Sequence, residues 1–144
     1  MTGAATMRIL LVSVAVATFL VRGAAAQVPV SESQWATALG TWRGTSVCLV
    51  HPSSCRDEIV VYRITPKSGR DSVAFDARKI VRGQEEEMGV LTCRVRRAVS
   101  PAIDLTCAIP NGLWRFRVRG DSLLGELRLA DSTRFRDVRT TRAP

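Results

Sequence analysis

Four cysteines carry the most definite chemistry of this 144-residue chain, and all of them lie beyond its apolar N-terminal segment. An even number of cysteines in an exported chain predicts disulfides. Four cysteines allow three pairings, and the strands predicted below favour Cys48 with Cys55 and Cys93 with Cys107. With the sulfurs engaged in this way we expect no metal site, and we expect no cofactor.

The single histidine is the other residue that could do chemistry. His51 lies between the first two cysteines, with Ser53, Ser54 and Asp57 nearby in sequence. A nucleophilic mechanism needs such a set in one hydrogen-bonded arrangement. Serine and aspartate are also the ordinary residues of tight turns. The turn interpretation is favoured here, so we expect a protein that is not an enzyme.

Residues 1–26 have the pattern of a secretory signal peptide. Arg8 precedes an apolar run over 9–21, and Ala24-Ala25-Ala26 offers a small-residue cleavage site. The run is shorter than the roughly 20 residues that a membrane-spanning helix needs. We therefore predict a secreted or periplasmic protein, not an integral membrane protein, with one domain over 27–144.

Arginine dominates the positive charge. The formal net charge of +8 falls by two, to +6, when the predicted signal peptide is removed. Such a charge favours anionic surfaces such as lipid headgroups or acidic glycans, or else it only solvates the protein. An outward row of arginines on one predicted strand could bind such a surface, or could pair with Asp104 (from Arg119) and Glu126 (from Arg115). The arginines of this row are Arg115, Arg117 and Arg119, and their expected neighbours are Arg94, Arg96 and Arg128. We expect no nucleic-acid partner.

After Gly40 the apolar residues recur with period two, which indicates strands. Asn111-Gly112 predicts a tight hairpin, and so does Gly120-Asp121. The first turn sets Ile109 opposite Trp114, Cys107 opposite Phe116 and Leu105 opposite Val118. The second sets Val118 opposite Leu123, Phe116 opposite Gly125 and Trp114 opposite Leu127. A turn near residue 100 sets Cys93 opposite Cys107.

The fold predicted is all-β. Eight strands are expected over 42–50, 58–65, 73–81, 87–95, 102–109, 113–119, 122–129 and 135–139. A short helix over 32–39 precedes them, because Ser31 and Gln34 form a capping-box pair. Hairpin-length connections between all strands predict a closed antiparallel up-and-down barrel. The alternative is an open meander or a flattened sandwich.

The predicted barrel interior is apolar. Its expected members are Trp42, Ile59, Val61, Val73, Phe75, Leu91, Val95, Ile103, Leu105, Trp114, Phe116, Val118, Leu123 and Leu127, with small residues at Gly44, Ala77 and Gly125. Space beside the small residues would make a pocket for a small hydrophobic molecule. The pocket candidates are Phe75, Leu91, Leu105, Trp114, Phe116 and Leu127. The alternative is a solid core, since eight strands are just filled by their own side chains.

Gly40-Thr41-Trp42, at the head of the first strand, resembles the start of a lipocalin-type (calycin) barrel. Gly44 extends the resemblance to the Gly-x-Trp-x-Gly of small bacterial secreted members. The resemblance implies that Trp42 closes the barrel floor under an arginine from the end of the last strand. Arg136 is the first choice, and a longer preceding turn would select Arg139.

A lipocalin-like protein is expected to bind a small hydrophobic ligand. Two other roles are compatible with a small disulfide-bonded barrel. One is a protein-binding module, such as a periplasmic inhibitor of a foreign hydrolase, in which the loops or the exposed segment 27–31 would make the contact. The other is a structural protein of the cell envelope. An empty apolar cavity would favour the carrier, whereas a filled barrel would favour a surface-binding role.

Overall fold

A computed structural model describes residues 36–68, 71–97 and 101–144 as a closed antiparallel barrel. Each strand pairs with the next, and the last pairs with the first. The strands are β1 (Gly40–Cys48), β2 (Glu58–Pro66), β3 (Ser72–Val81), β4 (Gln84–Arg97), β5 (Ile103–Ile109), β6 (Gly112–Arg119), β7 (Ser122–Leu129) and β8 (Arg134–Arg142). The prediction of an all-β, eight-stranded up-and-down barrel is confirmed.

The expected signal peptide and most of the expected helix over 32–39 lie outside the described residues. Of the helix, only its end is described, as a turn in which the Leu39 N–H donates to the Ala36 carbonyl at 3.2 Å. Within the three described ranges, no helix is long and apolar enough to cross a membrane.

The turn between β5 and β6 differs from the predicted one. Its central residues are Pro110 and Asn111 rather than Asn111 and Gly112, so Leu105 pairs with Phe116 and Cys107 with Trp114. Neither Asn111 nor Gly112 has the positive φ that the predicted turn type requires. Pro110 has the backbone angle that suits the first central position of an ordinary turn.

The shift changes each partner by two residues, so every side chain keeps its face. It does move the ion pair on the outer face. Asp104 faces Arg117 instead of the predicted Arg119, and the Arg117 Nε lies 2.7 Å from Asp104 Oδ1. Gly112 serves a different purpose from the expected one, because a Cβ there would collide with the backbone of β7 at Arg128 and Leu129.

The remaining hairpin predictions are confirmed. Val118 pairs with Leu123 and Phe116 with Gly125 across the β6–β7 turn, where Gly120 has a φ of 56°. Cys93 lies directly opposite Cys107, and both disulfides form as predicted, 48–55 and 93–107. Two disulfides indicate an oxidising compartment outside the cytoplasm.

The interior prediction is wrong for one strand. In β2 the side chains that face the core are Val60, Tyr62 and Ile64, whereas Ile59 is 49% exposed. Val61 is buried but does not belong to the core cluster. The strand begins with a continuous apolar run from Ile59, and alternation cannot assign faces within such a run.

Candidate functional site: a floor and a cavity

Trp42 forms the closed end of the barrel. Its side chain is fully buried, and its indole Nε1 donates to the Ala38 carbonyl at 3.1 Å. The guanidinium of Arg142 lies across the ring, 4.3 Å from the ring centroid. The same guanidinium donates to the carbonyls of Thr37 (2.6 Å) and Leu39 (2.8 Å). One arginine therefore joins the stacking contact to the turn that precedes β1.

The prediction that Arg136 or Arg139 covers Trp42 is wrong. Arg142 pairs directly opposite Trp42, while Arg139 pairs with Thr45 and is exposed, and Arg136 pairs with Cys48 at the far end of β1. The end of β8 does return to the start of β1, as expected. That end, however, lies three residues beyond the predicted strand boundary.

Gly40 makes this arrangement possible. Its φ of 115° lies in a region that side-chain-bearing residues rarely adopt, and a Cβ there would be 3.0 Å from Arg142 Nη1. The glycine of the Gly-x-Trp sequence therefore gives the covering arginine its path across the indole.

A cavity of about 320 Å³ opens at the end of the barrel away from Trp42. Four of the six predicted pocket residues line it, namely Phe75, Leu91, Trp114 and Phe116. Leu105 and Leu127 are buried but do not line it; Leu105 belongs to the core cluster. The other lining residues are Ser46, Glu58, Tyr62, Ala77, Met88, Gly89, Ile109 and Arg136.

Aromatic rings form a continuous wall of this cavity. Tyr62 and Phe75 have ring centroids 4.8 Å apart, Phe75 and Phe116 are stacked at 4.5 Å, and Phe116 and Trp114 are stacked at 5.3 Å. Offset contacts of this kind stabilise the rings beyond simple burial. A Cβ on Gly125 would overlap the ring of Phe116, so the glycine in β7 makes room for the wall.

Polar groups converge at one corner of the cavity, which we call the polar corner: Ser46, Glu58, Tyr62 and Arg136. Arg136 Nε donates to the Ser46 hydroxyl at 2.9 Å, and its Nη2 lies 3.0 Å from a carboxylate oxygen of Glu58. The Nη2 group also donates to the Arg56 carbonyl at 2.7 Å. Because Glu58 compensates Arg136, the polar corner is electrically neutral overall.

Tyr62 stays protonated in this setting. Burial raises the pKa of the phenol above its usual value, and the nearby charge of Glu58 acts in the same direction. The positive charge of Arg136 and an interaction with the Ser46 hydroxyl oppose this rise in pKa without cancelling it. The polar corner thus includes a neutral hydroxyl rather than an anion.

Sequence reasoning missed the polar corner because it assigned β2 to the wrong faces. The predicted phase, with Ile59 and Val61 inward, would also point Arg63 into the barrel. In the structure Arg63 faces outward and lies 2.8 Å from Glu85, while Tyr62 faces the cavity. The cost of burying an unpaired arginine was the signal that could have identified the correct face.

The polar side chains near His51 make hydrogen bonds to the backbone of their own loop. His51 Nε2 lies 3.0 Å from the Cys48 carbonyl, and the Ser53 hydroxyl donates to the Val50 carbonyl at 2.6 Å. The Asp57 carboxylate accepts the Cys48 N–H at 2.8 Å. Each group binds backbone, and these contacts hold the loop that the Cys48–Cys55 disulfide closes.

Comparison with known proteins assigns no family. No family model matches the sequence, and no curated protein is significantly similar to it. Among the described residues, no group of three or more His, Cys, Asp or Glu side chains is placed to hold a metal ion.

Proposed function

We propose that this protein is a secreted, lipocalin-like carrier that binds a small hydrophobic molecule without catalysis. The cavity of about 320 Å³ carries this proposal. Its volume lies at the lower end of the range for ligand pockets, roughly 300–1,000 Å³. A filled barrel would have favoured a surface-binding role, such as inhibition of a hydrolase, and the open space favours a carrier instead.

The lining residues suggest the chemistry of the ligand. An apolar, preferably planar body would lie against the wall of Phe75, Phe116 and Trp114. A hydroxyl or carbonyl at one end would meet Ser46 and Tyr62 in the polar corner. A neutral polar end fits best, since an anionic one would have to displace Glu58 from Arg136.

Entry would be at the cavity end, because Trp42 and Arg142 close the other. β4 pairs with β5 only from Cys93 onward, so the earlier part of β4 borders an opening. That part includes Met88, which is 42% exposed, and Gly89, which has a φ of 134° next to a register shift between β3 and β4. A flexible methionine at an opening adapts to ligands of different shape.

Two further features support the lipocalin-like and secreted parts of the proposal. The arrangement of Gly40, Trp42 and Arg142 is the floor that the resemblance implies. The two disulfides agree with the export that the N-terminal sequence predicts.

Filling the cavity tests the proposal. The neutral fluorescent probe N-phenyl-1-naphthylamine is titrated into the protein and into Ala77→Phe, whose added ring would occupy the cavity. Ala74→Phe is the matched control, because Ala74 lies on the same strand but on the outer face. We expect Ala77→Phe to weaken probe binding at least tenfold, or about 1.4 kcal/mol, and Ala74→Phe to leave it unchanged.

Equal binding by all three proteins would contradict the carrier proposal. If Ala77→Phe does weaken binding, native mass spectrometry of protein purified from its own host identifies the natural ligand as an added mass. That mass should be absent from Ala77→Phe purified in the same way.

A further inference from the structure

The outer surface of β4 to β8 carries a concentration of positive charge that the carrier function does not use. Six exposed arginines lie on it, and we call them the basic face: Arg94, Arg96, Arg115, Arg117, Arg119 and Arg139. Side chains two residues apart on a strand lie on the same face about 7 Å from one another, and neighbouring strands are about 5 Å apart. The six guanidinium groups therefore form a two-dimensional array rather than a line.

An exposed leucine lies within this array. Leu124 of β7 pairs with Arg117 on one side and with Arg139 on the other, and it is 51% exposed. Leu124 thus exposes about half of an apolar side chain on the outer surface between two arginines.

Most of the positive charge of the basic face is not compensated. Arg117 is paired with Asp104 at 2.7 Å, and Arg115 lies 3.9 Å from Glu126, which also binds Arg128 at 2.9 Å. Within the described residues, the remaining four arginines form no ion pair with a carboxylate within 4 Å. These are Arg94, Arg96, Arg119 and Arg139.

The β3–β4 side of the barrel differs in this respect. There Arg63 pairs with Glu85, Arg78 with Asp76 and Lys79 with Glu86. Exposed cations without an ion pair also occur elsewhere in the described residues, at Arg43, Arg56, Lys67 and Arg82, on β1 and in the connections between strands. The basic face differs from these in that its arginines lie along the outer surface of β4, β6 and β8.

We propose that the basic face docks on a membrane surface that contains anionic phospholipids. Guanidinium groups bind phosphate oxygens in a two-pronged geometry, and a cluster of arginines is attracted to an anionic leaflet. The array lies on one convex side of the barrel, where Leu124 can enter the boundary between headgroups and acyl chains. A soluble polyanion would gain nothing from the leucine. Docking of this kind goes beyond the carrier proposal, since none of these residues lines the cavity.

Vesicle binding tests the docking surface. The full-length protein is titrated with vesicles of phosphatidylcholine alone and with vesicles that also contain phosphatidylglycerol. The apolar N-terminal run can contact both, so the measured quantity is the gain in affinity caused by phosphatidylglycerol. We expect a gain that falls as salt is raised, because salt screens exposed charges.

Two matched triple variants locate the effect. Arg96→Gln/Arg119→Gln/Arg139→Gln removes three uncompensated charges from the basic face. Lys67→Gln/Lys79→Gln/Arg82→Gln removes three positive charges from β3 and the turns at its two ends, of which only Lys79 is paired, with Glu86. With each arginine contributing roughly a fivefold change, we expect the first variant to lose up to about a hundredfold of the phosphatidylglycerol-dependent affinity. The second should lose much less.

Three results would overturn the proposal: no gain with phosphatidylglycerol, equal losses in the two triple variants, or an unchanged gain in the first. Leu124→Ser then separates a bilayer from a soluble polyanion. It should weaken binding to anionic vesicles and leave binding to soluble polyphosphate unchanged. If it changes neither, and polyphosphate binding depends on the same three arginines, the partner is a soluble polyanion and the membrane assignment is wrong. Every substituted residue except the half-buried Lys79 is exposed, and unchanged circular dichroism and melting verify the fold.

Discussion

The two ends of the barrel are built from similar residues and have different properties. Each end has an inward arginine from β8, with aromatic rings nearby. At the floor, Arg142 lies 4.3 Å from the centroid of Trp42 and binds the carbonyls of the preceding turn. At the other end, which contains the cavity and which we call the mouth, Arg136 binds Ser46 and Glu58.

Side-chain size explains much of this difference. The inward residue of β1 at the floor is Trp42, whereas four residues later the inward residue is Ser46. Ala77 of β3 and Gly89 of β4 also line the mouth. An eight-stranded barrel has just enough interior for ordinary side chains, so small residues at one end leave space there while a tryptophan fills the other.

This difference predicts that the floor stabilises the fold, and it fits the proposal that the mouth binds the ligand. Removing floor side chains should therefore lower the free energy of unfolding, whereas changing the mouth should alter binding at a smaller cost in stability.

Truncating the floor tryptophan should have the largest effect. Trp42→Ala removes a fully buried side chain and should lower the free energy of unfolding by about 3–5 kcal/mol. Trp114→Ala is the matched variant at the mouth, where the ring is partly exposed and borders empty space. Urea denaturation should show a clearly smaller loss for Trp114→Ala. Equal losses would mean that the floor has no special structural role.

The two disulfides should also differ, one contributing mainly to stability and the other to the shape of the mouth. Replacing both Cys93 and Cys107 by alanine should cost about 3 kcal/mol from the lost crosslink, and more because both sulfurs are fully buried. Replacing Cys48 and Cys55 opens a shorter loop and should cost less. That loop supplies the Arg56 carbonyl to Arg136, so probe binding should weaken in this variant. A stable Cys48/Cys55 variant with unchanged probe affinity would show that the loop does not organise the mouth.

The two inward arginines provide a direct exchange test. Arg142→Gln should destabilise the protein by about 1–2 kcal/mol through lost stacking and hydrogen bonds, and should leave probe affinity unchanged. Arg136→Gln leaves Glu58 without its partner and should change probe affinity through the altered charge of the polar corner. Thermal melting and probe titration are measured on both variants. A change in probe affinity for Arg142→Gln, with only a stability loss for Arg136→Gln, would contradict the comparison.

The smallest effect concerns Tyr62, the only tyrosine of the chain. Its pKa is raised by burial, so above about pH 10 the unfolded chain releases the phenolic proton first. The stability that this proton contributes is fully present below the unfolded pKa and falls as pH rises, by at most about 1.4 kcal/mol per pH unit. Urea titrations at about pH 9 and about pH 10.5 should show this loss in the native protein. Tyr62→Phe should lack the contribution of this phenol, and an absorbance titration that finds an ordinary Tyr62 pKa would contradict the assignment.

Local patterns in the sequence were sufficient for the strands, most turns and the disulfides. Alternation and turn residues act between neighbours in the chain, and the β6–β7 pairing across Gly120-Asp121 matched the structure pair by pair. The 93–107 disulfide followed because Cys93 and Cys107 lie on adjacent strands joined by a short connection. Both features depend on contacts between residues close in sequence.

Errors arose where the sequence offered two equivalent local solutions. The apolar run at the start of β2 fits either face, and both Pro110-Asn111 and Asn111-Gly112 can form a turn. Packing decided the first case by placing Arg63 outside with Glu85 and Tyr62 inside. In the second case, the Pro110-Asn111 turn places Gly112 on β6, where the strand approaches β7 too closely for a side chain.

The sequence by itself determined a closed eight-stranded barrel, and its resemblance to a lipocalin start implied Trp42 at the floor with an arginine of the last strand above it. Only the tertiary structure decided that this arginine is Arg142 and that Arg136 belongs to a cavity. Closure of the barrel joins β8 to β1 across almost the whole described chain, so no local pattern records where that pairing stops. The volume of the cavity depends in the same way on side chains from all around the barrel, and it exists only when the strands are together.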